Sequence, residues 1–393
     1  MRRLAILGGD PAFGEGLRFA RPFTPPLSAV TERLSPSFDR GILTNGPLVR
    51  QLEEQAAARL GVGDVVAVSS CTAGLMLTMK ALTGAPAPGD VPVVLPSFTF
   101  SASAHAVAWN GLRPEFAECD PRSFQVDAAD AKSRLDGAVA ILATHVFGAP
   151  CRVVALEEMA ATAAVPLVFD AAHAFGATRA GRPVGGFGDA EVFSLSPTKL
   201  VVAGEGGLVS TNRDDLAREL RIGRDYGNPG NYDTQFVGLN ARMSEMHAAT
   251  ALESLARLDD HLERRQRLSG LYTKLLAGVP GLATQVVDDE DHSTYKDFTV
   301  FVDEERFGLP RDAVVAALKA DGIDTRCYFS PPVHRQHAYA AHAAADLPVT
   351  DRVAAGVVSL PIFADLPLES VELVAEVLVG LGERAGEVRA KVC

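Results

Sequence analysis

Between residues 64 and 211 short β-branched runs alternate with helix-like stretches, and this alternation constrains the fold more than any other feature of the chain. VVAVS is followed by TAGLMLTMKAL, and VPVVLPS by SASAHAVAWN. RPEFAE then precedes AADAKSRL, AVAILATHV precedes VVALEEMAATA, and PLVFDAA, AEVFSLS and GGLVSTN close the series. Parallel strands cannot be joined by tight turns and need a crossover, usually a helix, so the pattern predicts βαβ units and a mostly parallel α/β sheet between helices. After GGLVSTN the alternation stops. Residues 244–278 read as one long helix or a broken pair, with Leu252, Leu255 and Leu258 at helical spacing and Gly278 closing the run. The remainder mixes a strand, YKDFTVFV, with helices RDAVVAALKADG and ESVELVAEVLVGLGERA, which predicts a smaller α+β domain. The expected division is residues 1–255, including an amino-terminal arm, and residues 256–393.

Composition narrows the partners. A chain of 393 residues exceeds one ordinary core, and 47% apolar with 22% charged residues is the balance of a globular protein. A net charge of −12 argues against a nucleic-acid face or a polybasic membrane anchor. Five cysteines, at 71, 119, 151, 327 and 393, have no zinc or redox spacing, which suits free thiols in a reducing, cytoplasmic setting. The start, MRRLAILGGD, lacks a signal-length apolar run, no segment reaches membrane-spanning length, and there is no internal repeat.

Three features fall where strands end. In VVAVSSCTAGLML a strand meets Ser70, Cys71 and Thr72 and a helix begins, so free amides and hydroxyls are available to a phosphate. In PLVFDAAHAFGA, Asp170 follows a strand directly and His173 comes three residues later, at the edge where open α/β sheets bind ligands. In SLSPTKLVVAGEGG, Lys199 follows a strand whose end carries Ser194 and Ser196. Desolvation there lowers a lysine's pKa and makes it a nucleophile toward carbonyls. Singly, each has an ordinary explanation: a helix cap, a core histidine, a lysine snorkelling at a turn. Together they are the groups pyridoxal phosphate (PLP) needs: an amine for its carbonyl, an acid for its ring nitrogen and small donors for its phosphate.

With these motifs in place, the sequence resembles the DegT/DnrJ/EryC1/StrS sugar aminotransferases, PLP enzymes of the aspartate-aminotransferase fold. The resemblance runs in order through GILTNGPLVRQLEEQAAARLG, SSCTAGL, LPSFTFSASAHAVAWNG, THVFGAPCRV, FDAAHAFGA, SPTKLVVAGEGG, GLNARMSEMHAA and TRCYFSPPVHRQHAY. It implies that Lys199 is the Schiff-base lysine, Asp170 the partner of the pyridine nitrogen and His173 the neighbour of the ring hydroxyl. Phe100 would stack on the ring. Cys71, Thr72 and Ser194 would hold the phosphate, with Asn240 reaching the phosphate of a partner subunit in a homodimer. Cys71 stands where the family usually has glycine, which suits a helical position that tolerates a small side chain. Ser196 stands where several relatives have histidine or tyrosine. Relatives with histidine in place of the lysine are dehydratases, so Lys199 points to transamination.

The resemblance further implies a nucleotide-linked keto sugar acceptor, foremost a dTDP-4-keto-6-deoxyhexose, and glutamate or glutamine as donor. Tyr232, Arg242 and His334 are the candidate substrate contacts. A cyclitol ketone or a 3-keto sugar is the alternative acceptor, and a non-catalytic PLP-binding regulator the remote one. LAILGGDPAFGEG lacks the G-x-G-x-x-G of a nicotinamide site, and HRQHAYAAH lacks the spacing of a metal site, so neither a dehydrogenase nor a metal enzyme is expected.

Overall fold

The computed structural model describes residues 2–84, 90–342 and 346–392; Cys393 lies outside them. Seven strands form the main sheet: β1 (Asp64–Val68), β2 (Pro92–Pro96), β3 (Arg113–Ala117), β4 (Ala140–Thr144), β5 (Leu167–Asp170), β6 (Ala190–Ser194) and β7 (Gly207–Thr211). Their order is β1-β7-β6-β5-β4-β2-β3. Only β7 is antiparallel to its neighbours, β1 and β6; the other pairs are parallel. The apolar runs become strands buried on both faces, as a helix-covered parallel sheet requires. Each expected strand from VVAVS to GGLVSTN is therefore present.

Helix α1 (Cys71–Thr83) follows β1 and helix α2 (Ser101–Trp109) follows β2. Helix α1 lies close against β7. A Cβ on Gly207 would come within 2.6 Å of the Cys71 backbone nitrogen, so only glycine lets that strand pass the start of the helix. The 244–278 run is the broken pair, α3 (Glu245–Leu255) and α4 (Leu258–Leu276). Leu258 belongs to the core under the main sheet, whereas Leu268, Tyr272 and Leu276 belong to the core of the carboxyl-terminal unit. Helix α4 thus serves both. That second unit is built on a three-stranded antiparallel sheet, β8 (Leu282–Thr284), β9 (Phe298–Val302) and β10 (Val357–Leu360), in the order β8-β9-β10.

The amino-terminal arm, expected with the larger unit, packs against the carboxyl-terminal one. Leu4 is buried in the carboxyl-terminal core, and Leu17 pairs with Ile323. The fully buried Asp321 carboxylate accepts hydrogen bonds from the amides of Ala5 (3.2 Å) and Ala12 (3.1 Å). A buried carboxylate needs donors, and the arm supplies them.

A second buried carboxylate organises residues 37–49. Glu245, at the start of α3, accepts hydrogen bonds from Ser37 Oγ (2.8 Å) and from the amides of Gly46 (3.0 Å), Leu48 (2.9 Å) and Val49 (3.0 Å). These amides open the helix Pro47–Leu60, whose free N–H groups favour a negative charge. The GILTNGPLVRQ and MSEMHAA motifs, far apart in sequence, are therefore two halves of one helix cap. Glu245→Ala orphans four buried donors and should lower unfolding free energy by about 3 kcal/mol or more. The check is the urea midpoint read by circular dichroism against wild type; a midpoint unchanged in Glu245→Ala would refute this role.

Candidate active site

A cavity of about 310 Å³ opens at the carboxyl edge of the sheet. It is lined by Cys71 and Thr72 from the start of α1, Phe100 before α2, Asp170 at the end of β5 and His173 after it, Ser194 at the end of β6 and Lys199 after it, and Lys296, Tyr328 and Phe329 from the carboxyl-terminal unit. The ends of three parallel strands, β2, β5 and β6, thus converge with a helix start, in the crevice where such sheets bind ligands.

Asp170 ends β5, between Thr144 of β4 and Val192 of β6. It is almost wholly buried, which pushes its carboxyl above the usual range. Opposing that, Ser103 Oγ donates to Oδ2 (2.6 Å), the Ala172 amide donates to Oδ1 (3.1 Å), and the Lys199 charge favours the carboxylate. Ser103 continues into a buried hydroxyl chain, with Ser103 to Thr99 at 3.1 Å and Thr99 to Thr144 at 3.0 Å. Two of the acid's oxygens are therefore held by the helix after β2 and by its own turn, which fixes its aim.

Lys199 makes no ion pair among the described residues. Burial first and the charge of Lys296 second lower its pKa, against the pull of Asp297, Cys71 and Asp170, to about 8. Burial, Lys199 and Lys296 together hold His173 well below the usual histidine value, as a neutral ring. Cys71 is the first residue of α1 and has no positive φ, so the side chain in place of glycine is unstrained. Burial holds its thiol well above the ordinary value, and Sγ points toward the Val192 carbonyl. Ser70 caps α1, accepting from the Ala73 amide at 3.1 Å, which leaves the amides of Cys71 and Thr72 free of helical partners.

The carboxyl-terminal unit closes the cavity through backbone contacts. The Thr294 amide donates to the Gly148 carbonyl (3.1 Å) and the Lys296 amide to the Phe147 carbonyl (3.0 Å). Thr294 Oγ1 donates to the His173 carbonyl at 2.6 Å. Gly148 has φ +94°, and a Cβ there would sit 1.9 Å from Thr294 Oγ1 and 2.8 Å from the His173 carbonyl oxygen. This is what the glycine in THVFG is for.

Other expected site residues lie elsewhere. His334 is fully buried: its amide donates to Ser97 Oγ (3.0 Å), its Nδ1 is 2.6 Å from the same hydroxyl, and its Nε2 is 3.2 Å from Asp351. It ties the PPVHRQ segment to the end of β2 and is not among the residues that line the cavity. Tyr232 is 96% exposed and outside the cavity. Arg242 pairs with Asp225 and lies over the Tyr226 ring, and exposed Asn240 bridges to Asp225 on the same loop, also outside the cavity. Residues missed from the sequence are Ser103, Lys296, Tyr328 and Phe329. A serine in the middle of an apolar helix was a signal for the first; the others come from a distant segment. Among the described residues no group of three or more His, Cys, Asp or Glu could hold a metal ion, and no helix is long and apolar enough to cross a membrane.

The model of the DegT/DnrJ/EryC1/StrS aminotransferase family matches residues 28–379. The chain belongs to this family. It is a PLP-dependent aminotransferase, with the fold of that class. The aminotransferase is 33% identical to GDP-perosamine synthase of Caulobacter vibrioides, covering 85% of this chain and 90% of that protein. It is 32% identical to a UDP-N-acetyl-3-dehydro-alpha-D-glucosamine 3-aminotransferase of Acidithiobacillus ferrooxidans, over 91% and 94%. The crystal structure of DesI in the presence of its TDP-sugar product superposes with a TM-score of 0.91 at 37% identity, over 98% of each chain.

Two outcomes follow from this geometry. Because Lys199 has a folded pKa near 8 against 10.5 for a free side chain, the rate at which apoprotein takes up PLP should rise with pH through about 8 and then level off. The unfolded chain binds more protons between those values, so Lys199 also makes the apoprotein more stable as pH rises from about 8 to 10.5. Stopped-flow absorbance of PLP uptake checks the first; a rate still climbing steeply at pH 10 would contradict it. Gly148→Ala should weaken PLP retention and lower the melting temperature by several degrees, about the effect of 1–3 kcal/mol of steric strain. Thermal unfolding with and without PLP reads both.

Proposed function

We propose that the enzyme transfers the amino group of glutamate, or glutamine, to a nucleotide-linked keto sugar, foremost a dTDP-4-keto-6-deoxyhexose. The observation that carries this reading is the near-full-length likeness to DesI, described with a TDP-sugar product. The two relatives named for GDP and UDP sugars support the nucleotide-linked acceptor class. The 3-dehydro sugar in one of those names keeps a 3-keto acceptor as the second reading.

The donor set fits PLP. Free amides of Cys71 and Thr72 with the Ser194 hydroxyl suit its phosphate, buried Asp170 suits its ring nitrogen, and Lys199, unpaired among the described residues, suits its carbonyl. When bound, PLP supplies an electron sink for the pair left by a broken C–H bond. The rest of the work belongs to the chain. Lys199 Nζ would hold the cofactor at rest and, when freed by the donor amine, would act as the general base that takes the proton from the amine-bearing carbon and the general acid that returns it. Asp170, held by Ser103 and the Ala172 amide, keeps a positive ring nitrogen favourable. His173, neutral and 13% exposed at its side chain, would stand beside the ring hydroxyl, and Phe100, which lines the same cavity, would cover the ring face. The keto acid leaves, the sugar ketone enters, and the same proton steps run backward.

Phe100 is 60% exposed although it lines the cavity, and Asn240, Tyr232 and Arg242 stand outside it on another loop. A homodimer in which that loop reaches the partner's cavity accounts for both features. Lys199→Ala should abolish multiple turnover and the visible band of the lysine-bound cofactor. Asp170→Asn should reduce turnover by about 100- to 1,000-fold, as expected for one charge-stabilising group. Both are measured with glutamate and a panel of 3-keto and 4-keto nucleotide sugars, scoring the amino sugar by mass. Wild-type protein that aminates none of the panel, yet turns over a cyclitol ketone, would replace the acceptor assignment.

A further inference from the structure

Beyond the effect of its charge on Lys199 and His173, Lys296 has no contact assigned in the chemistry given to Lys199 and Asp170. It lines the same cavity and is only 5% exposed. Its Nζ donates to Asp297 Oδ1 at 2.7 Å. Asp297 is itself buried; its Oδ2 has no hydrogen-bond partner and lies 3.9 Å from His173 Nδ1. Behind them the buried Arg265 guanidinium donates to the carbonyls of Tyr295 (2.7 Å) and Lys296 (3.0 Å). Asp297 pairs with Lys296 directly and acts on Arg265 only through its field, so two buried cations lie near one carboxylate here, before Lys199 is counted. An ammonium has three donors, and a buried charge is costly unless its donors are used. Asp297 uses one of them.

We propose that Lys296 is the subsite for the α-carboxylate of the amino-acid donor. This rests on the reading of the enzyme as a transaminase with an α-amino acid donor. The α-carboxylate is one bond from the carbon whose proton Lys199 takes, so its receptor must line the cavity beside Lys199. The acceptor's negative charge lies instead on its diphosphate, separated from the reacting ketone by sugar-ring atoms, and nothing charged accompanies its reacting carbon. A deep lysine matches the donor and not the acceptor. Asp297 explains how one cavity serves both: it pairs with the ammonium while the uncharged sugar ring is bound and shares it while the carboxylate is there. Charge-assisted hydrogen bonding of this kind also discriminates strongly against an amine that lacks the anion.

The experiment uses PLP-loaded wild type, Lys296→Met, Lys296→Arg and the double variant Lys296→Met/Asp297→Asn, which avoids leaving Asp297 buried without its cation. Each is titrated, without acceptor, with glutamate and with 4-aminobutyrate, whose amine-bearing carbon has no carboxylate. The visible cofactor spectrum is the readout. The amine form is then titrated with keto sugar nucleotide. Glutamate half-saturation should rise about 10- to 100-fold in both Met variants and recover partly in Lys296→Arg, the size of one charged hydrogen bond. The preference for glutamate over 4-aminobutyrate should shrink by the same factor, and the acceptor titration should move by less than about threefold. An equal loss for glutamate, 4-aminobutyrate and acceptor would overturn the subsite, as would unchanged glutamate dependence or a wild type indifferent between the two amines. A wild type unresponsive to every α-amino acid would instead overturn the donor reading, and the subsite with it.

Discussion

The active site depends on a short strip of backbone pairing between two units. Thr294 and Lys296 hydrogen-bond to Gly148 and Phe147, and Thr294 Oγ1 reaches the His173 carbonyl. Backbone pairs of this kind have little freedom once formed, because an unpaired buried amide or carbonyl is costly. The strip fixes the loop after β4 against the turn after β5 and carries Lys296 into the cavity. It also makes Gly148 obligatory, since any Cβ would displace Thr294. The sheet provides three strand ends; this contact turns them into an enclosed site.

Enclosure then sets the chemistry. Removing Lys199 from water disfavours its charged form, and a second buried lysine adds to the effect. The same burial pushes the Asp170 carboxyl upward, and Ser103, the Ala172 amide and the nearby ammonium pull it back. One site thus holds an amine shifted toward its nucleophilic form and an acid supported in its charged form. The hydroxyl chain from Thr144 through Thr99 to Ser103 shows how deep that support runs, since each member is buried and bonded to the next.

Much of this was legible in sequence because the signals were local. The alternation of apolar runs gave the strands, and Asp170, Lys199 and the Cys71–Thr72 helix start were recognisable by where strands end. The broken 244–278 helix was legible as an alternative, though not its service to two cores. His334 misled for a physical reason: a histidine in a motif-like loop looks the same whether it faces a substrate or, as here, satisfies Ser97 and Asp351 in the interior. Lys296 was invisible for the converse reason. In YKDFTVFV it reads as a charge opening a strand, and only its position in space makes it part of the site.

By itself the sequence determined the α/β class, the strands of the sheet and the residues at their carboxyl ends, because periodicity and strand-end position are properties of neighbouring residues. It also determined membership in the aminotransferase family through ordered motifs. Tertiary structure alone decided that the amino-terminal arm packs on the carboxyl-terminal unit through Asp321. It alone decided that Glu245 caps a helix nearly 200 residues before it, and that Lys296 and Asp297 join His173 and Lys199. Each of these is a buried charge finding donors or a counter-charge across a long sequence separation. Such pairings follow from how the chain closes on itself, not from any pattern along it.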